Sequence, residues 1–320
     1  ENPVNMGINW LCGQEVSIRL INAIQTWYVL DYPKKKPKIL PGRYSFALSH
    51  IRRIYKTTLY AEGQKNNHWI SEAAAMFIAS NWLLSYKSND KKEIIKYSVF
   101  ARKSLERALR KLFLSDGSFS QQSCNYHRFV IDTLIQVEFW RERLEVTPFT
   151  KEFYEIVFLA INWLWNFVDP ISGEVPNLGS NDGTYCYALH DEGYTDFRPT
   201  ISLAYLIFKK EKIFNSNQIE EPIFWMALKE GKKNEILNLS KIKLFKKGGY
   251  ALIKPNFISW ALLRIPKYEF RPAQCDPLHV DLWHKGKNIL RDAGTFSYNS
   301  GGIDSDYFSG IKGHNSIEFD

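Results

Sequence analysis

The sequence predicts an α+β multidomain protein: a helical domain of paired helices followed by a smaller antiparallel β-domain. Three observations predict it. Apolar residues recur at helical spacing through the first two-thirds of the chain, in segments of similar length ended by Pro, Gly or Asp/Asn. Near residue 236 the apolar period changes from helical to alternating. Residues 65–80 (KNNHWISEAAAMFIAS) keep no polar face after their first turn, so this helix belongs inside a helical assembly. With 320 residues the chain is long enough for two domains and a large core.

Each element follows in order. Residues 1–12 read as an irregular lead-in. Residues 14–30 form a helix with Val16, Leu20, Ile24 and Trp27 in phase, and residues 33–41 (PKKKPKILP) break it. The lysines at 34–36 read as a solvated loop. A second helix spans about 45–59 on Phe46, Leu48, Ile51 and Ile54, and the buried helix at 65–80 follows. Ser88, Asn89 and Asp90 punctuate the chain before a helix through Ile94, Tyr97, Leu105 and Leu109, which Asp116 and Gly117 stop. Further helices are expected at about 126–140, 149–167, 197–208 and 222–229. Similar lengths and short turns predict a stack of helical hairpins, closing into a toroid or solenoid, over residues 1–235. Residues 241–255 and 257–265 then alternate around a Gly-Gly, and 282–292 reads as a hairpin turning at Lys285-Gly286. The rest is rich in Gly, Ser, Asn and Asp, with one strand-like run at its end. Residues 236–320 are fewer than the roughly 100 of a closed sandwich, so the β-domain is expected to be cut short.

Composition narrows the function. The chain is 45% hydrophobic and 15% aromatic, with 10 Trp, 17 Tyr and 21 Phe, more aromatic rings than a core alone requires and suited to stacking on sugars. A net charge of +8 and a pI near 9.1 favour an acidic partner. Nucleic acid is one such partner, but no helix-turn-helix, zinc module or RNA-binding signature is present. Cys12, Cys124, Cys186 and Cys275 are scattered without a CxxC pair, so neither a zinc ribbon nor a disulfide framework is indicated. No apolar run approaches the roughly 20 residues of a membrane span. The chain opens at Glu1 with no initiator Met or signal peptide, as expected of a processed or excised piece.

Four constellations carry chemistry, each with a structural alternative. Asn67 and His68 sit at the mouth of the buried helix, where its dipole and side-chain donors would receive a carboxylate; alternatively Asn67 is only an N-cap. In residues 116–128 (DGSFSQQSCNYHR), Tyr126 begins a helix beside His127 and Arg128, two cations able to lower its pKa so that it acts as a base; the alternative is packing. Residues 176–187 (PNLGSNDGTYCY) form a tight loop with Ser180, Asn181 and Asp182 between glycines, either lining a cleft or closing an Asx-turn. Arg271, Gln274, Asp276, His279, Asp281, Asp292 and His314 offer oxygen and imidazole ligands for a divalent metal, or are polar surface residues.

In order and spacing, NNHWISEAAAMF, DGSFSQQSCNYHRF, PNLGSNDGTY with FRPTI, RPAQCDPLHVDLWHKGKNILRDAGTFSYN and GHNSIEFD resemble the heparinase II/III family of polysaccharide lyases, over nearly the whole chain. The resemblance implies an α/α toroid followed by an antiparallel β-sandwich, the architecture of related alginate lyases too, with the active site between the two. It implies β-elimination from an uronic-acid-containing glycan. Asn67 and His68 match the pair that neutralises the uronate carboxylate, and Tyr126 matches the catalytic tyrosine. His279 or Tyr298 would be a second acid or base, and His127, Arg128, Asn181, Asp182 and Arg271 would contact substrate. Many relatives carry a His where Gln274 stands, in a metal site completed by residues resembling Asp292 and His314. A structural divalent cation, calcium or zinc, is therefore expected at Gln274, Asp292 and His314. The resemblance favours a periplasmic or secreted location and an acidic polysaccharide partner.

The chemistry suits these residues. The C5 proton of a uronate is barely acidic until its carboxylate is neutralised, so elimination needs a charge mask, a base for C5 and an acid for the leaving O4. A phenol of pKa about 10 needs positive charge nearby to ionise at neutral pH, and His127 or Arg128 is expected to supply it. The alternative to a lyase is a relative that binds polyanionic glycan without cutting it, or that serves capsule or O-antigen biosynthesis.

Overall fold

The computed structural model describes residues 3–31, 39–185, 191, 193–213, 220–229, 231–233, 241–256, 258–267, 274–298 and 301–318. Arg271, the lysines at 34–36 and the expected domain boundary at 235/236 lie outside the described residues. Two compact units are present. One comprises Glu1–Leu112, Thr133–Tyr154 and Trp225–Ala227; the other comprises Phe113–Asp132, Glu155–Phe224 and Leu228–Asp320.

The first unit is helical. Helices α1 (Gly13–Asp31), α2 (Pro41–Gln64), α3 (Asn67–Leu84) and α4 (Lys91–Leu112) follow one another, and α3 packs on the other three. The absence of a polar stripe explains its central place: every residue of α3 from Trp69 to Leu83 is buried. Lys65 closes α2 in the left-handed conformation, and one residue later the Asn66 side chain caps α3 by accepting the His68 backbone N–H at 3.0 Å. The cap is therefore Asn66, and Asn67 is already the first helical residue. Trp69 donates its indole N–H to Ser104 of α4 at 2.9 Å, satisfying a polar atom that burial would otherwise strand.

In the second unit, residues from helices α5 (Cys124–Arg143), α6 (Lys151–Phe167) and α7 (Arg198–Lys209) precede the short pieces β1 (Glu211–Lys212), α8 (Glu220–Trp225) and β2 (Lys232–Lys233). Strands β3 (Ile242–Phe245), β4 (Tyr250–Ile253), β5 (Ser259–Arg264), β6 (Val280–His284) and β7 (Lys287–Leu290) form one antiparallel meander in chain order. The expected turns are found: Gly-Gly between β3 and β4, and Lys285-Gly286 between β6 and β7. Gly249 has φ +76°, and a Cβ there would strike the Ile265 carbonyl, so only glycine closes this turn.

The inner face of the sheet buries Phe245, Tyr250, Leu252, Trp260, Leu262 and Trp283, covered in part by Trp163 and Phe167 of α6, whose rings stack at 3.9 Å. The outer face is apolar as well. Register sets Ile242, Ile253, Ala261, Leu282 and Leu290 side by side across all five strands, with Leu244, Ala251, Leu263 and Val280 in the next row. Ile242, Leu244 and Ile253 are more than half exposed. A sheet apolar on both faces has the pattern of a sandwich layer, not of a solvated edge.

The end of the chain escaped the periodic reading. Residues within the Gly- and Ser-rich end form helix α9 (Gly302–Ser309), which has no buried residue and so no apolar stripe to betray it.

Candidate active site

The site in the second unit is built on the start of α5. Ser123 caps that helix, its Oγ accepting the Tyr126 N–H at 3.2 Å and donating to the Ser180 carbonyl at 2.6 Å. The Cys124 N–H reaches the Leu178 carbonyl at 3.3 Å. Gly179, at φ +72°, lets the 178–182 loop lie against this helix start, since a Cβ there would meet the Gln122 carbonyl and Ser123 Cα. The loop is thus fastened at the first turn of α5.

The fastening brings three groups together. The Tyr126 hydroxyl lies 3.0 Å from Asp182 Oδ2 and 2.8 Å from the Tyr298 hydroxyl. Asp182 Oδ1 meanwhile accepts the Thr184 N–H at 3.0 Å, so the loop is an Asx-turn and a site residue at once. Asn181 Oδ1 accepts from the Gly183 N–H at 2.9 Å and the Tyr194 hydroxyl at 2.7 Å. Burial pushes the Tyr126 phenol well above its ordinary range, and the hydrogen bonds and charges of Tyr298 and Asp182 push the same way. The Tyr298 phenol is raised too, chiefly by burial.

These findings correct the expectation that His127 and Arg128 lower the Tyr126 pKa. Consecutive helical residues point about 100° apart, so three in a row face three directions. His127 is 1% exposed, stacks on Trp163 at 4.4 Å and hydrogen-bonds the Ala160 carbonyl through Nε2 at 2.9 Å. Burial depresses its pKa to about 3, so it is neutral. Arg128 is also 1% exposed, its guanidinium lying 4.0 Å from the Phe197 ring and 4.5 Å from Tyr194, with donated bonds to the Tyr194 carbonyl and Asn125 Oδ1. Both side chains are enclosed in the fold, not presented to substrate.

Asn67 and His68 belong to the first unit. Asn67 is buried, and its amide donates to Gln14 Oε1 at 2.9 Å; Ser71, one turn on, also donates to that oxygen at 3.4 Å. His68 is half-buried. Gln14 therefore orients Asn67, a role with no signal in the sequence beyond a polar residue in the first turn of α1.

A second polar cluster lies under the sheet. His279, Asp292 and His314 bring potential ligand atoms within 4.8 Å of one another. His314 Nδ1 meets Asp292 Oδ2 at 2.9 Å, while its Nε2 is buried with no hydrogen-bond partner among the described residues. Two imidazoles and a carboxylate suit zinc by donor type, and Asp292 with His314 fits a cation. His279 fits less well. Its Nδ1 accepts the Asn315 N–H at 3.0 Å, which leaves the proton on Nε2 facing Asp281 at 3.3 Å. His279 is wholly buried, which corrects the expectation that it serves as a second acid or base on a substrate. Gln274 is tied to the same region by donating to the Gly294 carbonyl at 3.0 Å, two residues past Asp292. Tyr298, half exposed, is the β-domain residue that meets Tyr126. Beside it opens a cavity of about 220 Å³, lined by Ser180, Thr295, Phe296, Ser297, Asp304 and Phe308 among others.

A helical domain followed by an antiparallel sheet is the architecture that the resemblance implies. Residues 238–320 match the family model described as Heparinase II/III-like, C-terminal. A crystal structure of heparinase III is similar at a TM-score of 0.67 and 19% identity, covering 95% of this chain and 46% of that one. A mutant of heparan sulfate lyase HepC from Pedobacter heparinus is similar at 0.60 and 18%, over 96% of this chain and 46% of that one. At such identities the likeness establishes the fold. The chain spans less than half the length of these structures, and no curated protein matches. The family resemblance and the fold class expected from it are both found.

Proposed function

We propose that this chain carries the catalytic residues of a polysaccharide lyase that cleaves an acidic, uronate-containing glycan by β-elimination. Asn67 and His68 neutralise the uronate carboxylate. Tyr126 takes the C5 proton, and Tyr298 protonates the leaving O4. The observation that carries the reading is the chain of hydroxyls from Tyr298 to Tyr126 ending on Asp182. Buried phenols joined to each other and to a carboxylate are arranged to move a proton. Tyr298 donates to Tyr126, because the carboxylate can only accept and so takes the Tyr126 proton. Asn181 contributes by fixing the loop that holds Asp182.

If a divalent ion binds Asp292 and His314, its role is to pin the segment around Asn315 to the sheet. Chelation would then lower the melting temperature and leave turnover of the folded enzyme unchanged. The test of the lyase reading is near-ultraviolet absorbance from the unsaturated product. Heparan sulfate, heparin, alginate, hyaluronan and bacterial capsule polymers are offered in turn. At least one is expected to give a signal, and Tyr126→Phe should reduce it by about 100-fold or more. Binding with no product from any polymer would favour a non-catalytic glycan binder.

A further inference from the structure

The cause of the raised Tyr126 phenol poses a chemical problem. Among the described residues, the groups that shift it are Tyr298 and the carboxylate of Asp182, and that carboxylate opposes a phenolate. A resting tyrosinate is therefore not how this residue becomes a base. The remaining route is for the phenol to release its own proton as it receives another, which requires an acceptor already hydrogen-bonded to it.

We propose that Asp182 is that acceptor: it holds the Tyr126 hydroxyl proton at 3.0 Å and takes it as Tyr126 receives the C5 proton of the uronate. This rests on the lyase reading. The geometry supports it in three ways. The Asx-turn bond from Thr184 to Oδ1 fixes the carboxylate, leaving Oδ2 for the phenol. With its proton directed at Asp182 and one lone pair accepting from Tyr298, the Tyr126 oxygen keeps a second lone pair for substrate. Asp182 is also exposed, so its charge is solvated between turnovers. The titratable groups facing this carboxylate are the phenols of Tyr126, Tyr298 and Tyr194, with the Arg128 guanidinium behind Tyr194.

The step balances. The C5–H bond breaks and its proton goes to Tyr126 Oη, while the Tyr126 O–H bond breaks and its proton goes to Asp182 Oδ2. The C5–H electron pair becomes the C4=C5 bond, and the C4–O4 pair leaves on O4, which takes the Tyr298 proton. The proton on Asp182 then returns through Tyr126 to Tyr298, and all three groups regain their starting states. Asp182 acts through Tyr126 and is a positioning and proton-accepting residue, not a substrate contact.

The test compares the whole chain with Asp182→Asn and Asp182→Glu. An amide still accepts the phenol's hydrogen bond but does not take its proton. Asp182→Asn should therefore lower kcat by about 100-fold at unchanged KM and remove the fall in kcat on the acid side. Asp182→Glu should recover part of the rate. An Asn variant with wild-type kcat, or with raised KM alone, overturns the proposal. A second readout does not depend on turnover: NMR titration of tyrosines labelled at the hydroxyl-bearing ring carbon, with Tyr126 assigned by Tyr126→Phe. The Tyr126 phenol should ionise at lower pH in Asp182→Asn than in the wild type, and an unmoved titration overturns the proposal. Absence of cleavage of any polymer with the titration shift present would sink the lyase reading alone.

Discussion

Helices α3 and α5 are both buried along most of their length, yet they are built from opposite materials. From Trp69 onward α3 is mostly apolar, with Ser71, Glu72, Ser80 and Asn81 its only polar residues and no polar face. Helix α5 (CNYHRFVIDTLIQVEFWRER) is polar on average, and still every residue from Cys124 to Trp140 is buried. The first is inside because most of its side chains are apolar, and its one carboxyl, Glu72, is pushed up to about 8 by burial and so is mostly neutral at pH 7. The second is inside because its charged and imidazole side chains each find at least one partner: His127 on Ala160, Arg128 on Asn125 and Tyr194, Asp132 on Thr200, Glu138 on Arg141 and Tyr154. A buried polar helix is costly to assemble and specific once assembled, which suits the element that carries the phenol proposed as the base.

The sharpest way to break this contrast is Arg128→Ala. It strips a guanidinium from three aromatic rings and leaves Asp132, whose pKa burial has already raised to about 7, without its compensating charge. A loss of about 3 to 5 kcal/mol is expected in denaturant unfolding. In α3 the comparable insult is steric. Ala74→Leu, at a wholly buried position, should cost about 1 to 3 kcal/mol through overpacking, with no dependence on pH.

Acid should separate the two helices further. His127 titrates near 3 when folded and near 6.5 when unfolded, so below about 6.5 the unfolded chain binds the extra proton. Its contribution to stability is complete above that pH and lost progressively as pH falls toward 3. His127→Phe should flatten that part of the stability–pH curve measured by urea titration. The smallest effect expected is at Gln14. Gln14→Ala removes the bond from the Asn67 amide to Gln14 Oε1 and should lower kcat by about tenfold, the worth of one hydrogen bond, while barely moving the melting temperature.

The same contrast explains what the sequence disclosed. Burial of α3, the run of helices, the change to strands and both hairpin turns follow from periodicity and turn residues, which are local. Tyr126 and the Asn-Asp-Gly loop were legible as motifs. Their pairing was not, because Tyr126, Asp182 and Tyr298 lie far apart in sequence and meet only through the docking of the loop on Ser123. His127 and Arg128 misled for the converse reason: adjacency in sequence reads as adjacency in space, and a helix turns neighbours away from each other. Helix α9 was hidden by having no apolar face.

The proposed function has one central claim, that Asn67, on α3, and Tyr126, on α5, serve a single elimination. A double-mutant cycle of Asn67→Ala and Tyr126→Phe, read as kcat/KM on a cleavable uronate polymer, tests it most directly. Groups that act together are not additive, so the double variant should be about as impaired as Tyr126→Phe alone. Losses that simply multiply would contradict the claim, since they would mean the amide and the phenol work apart.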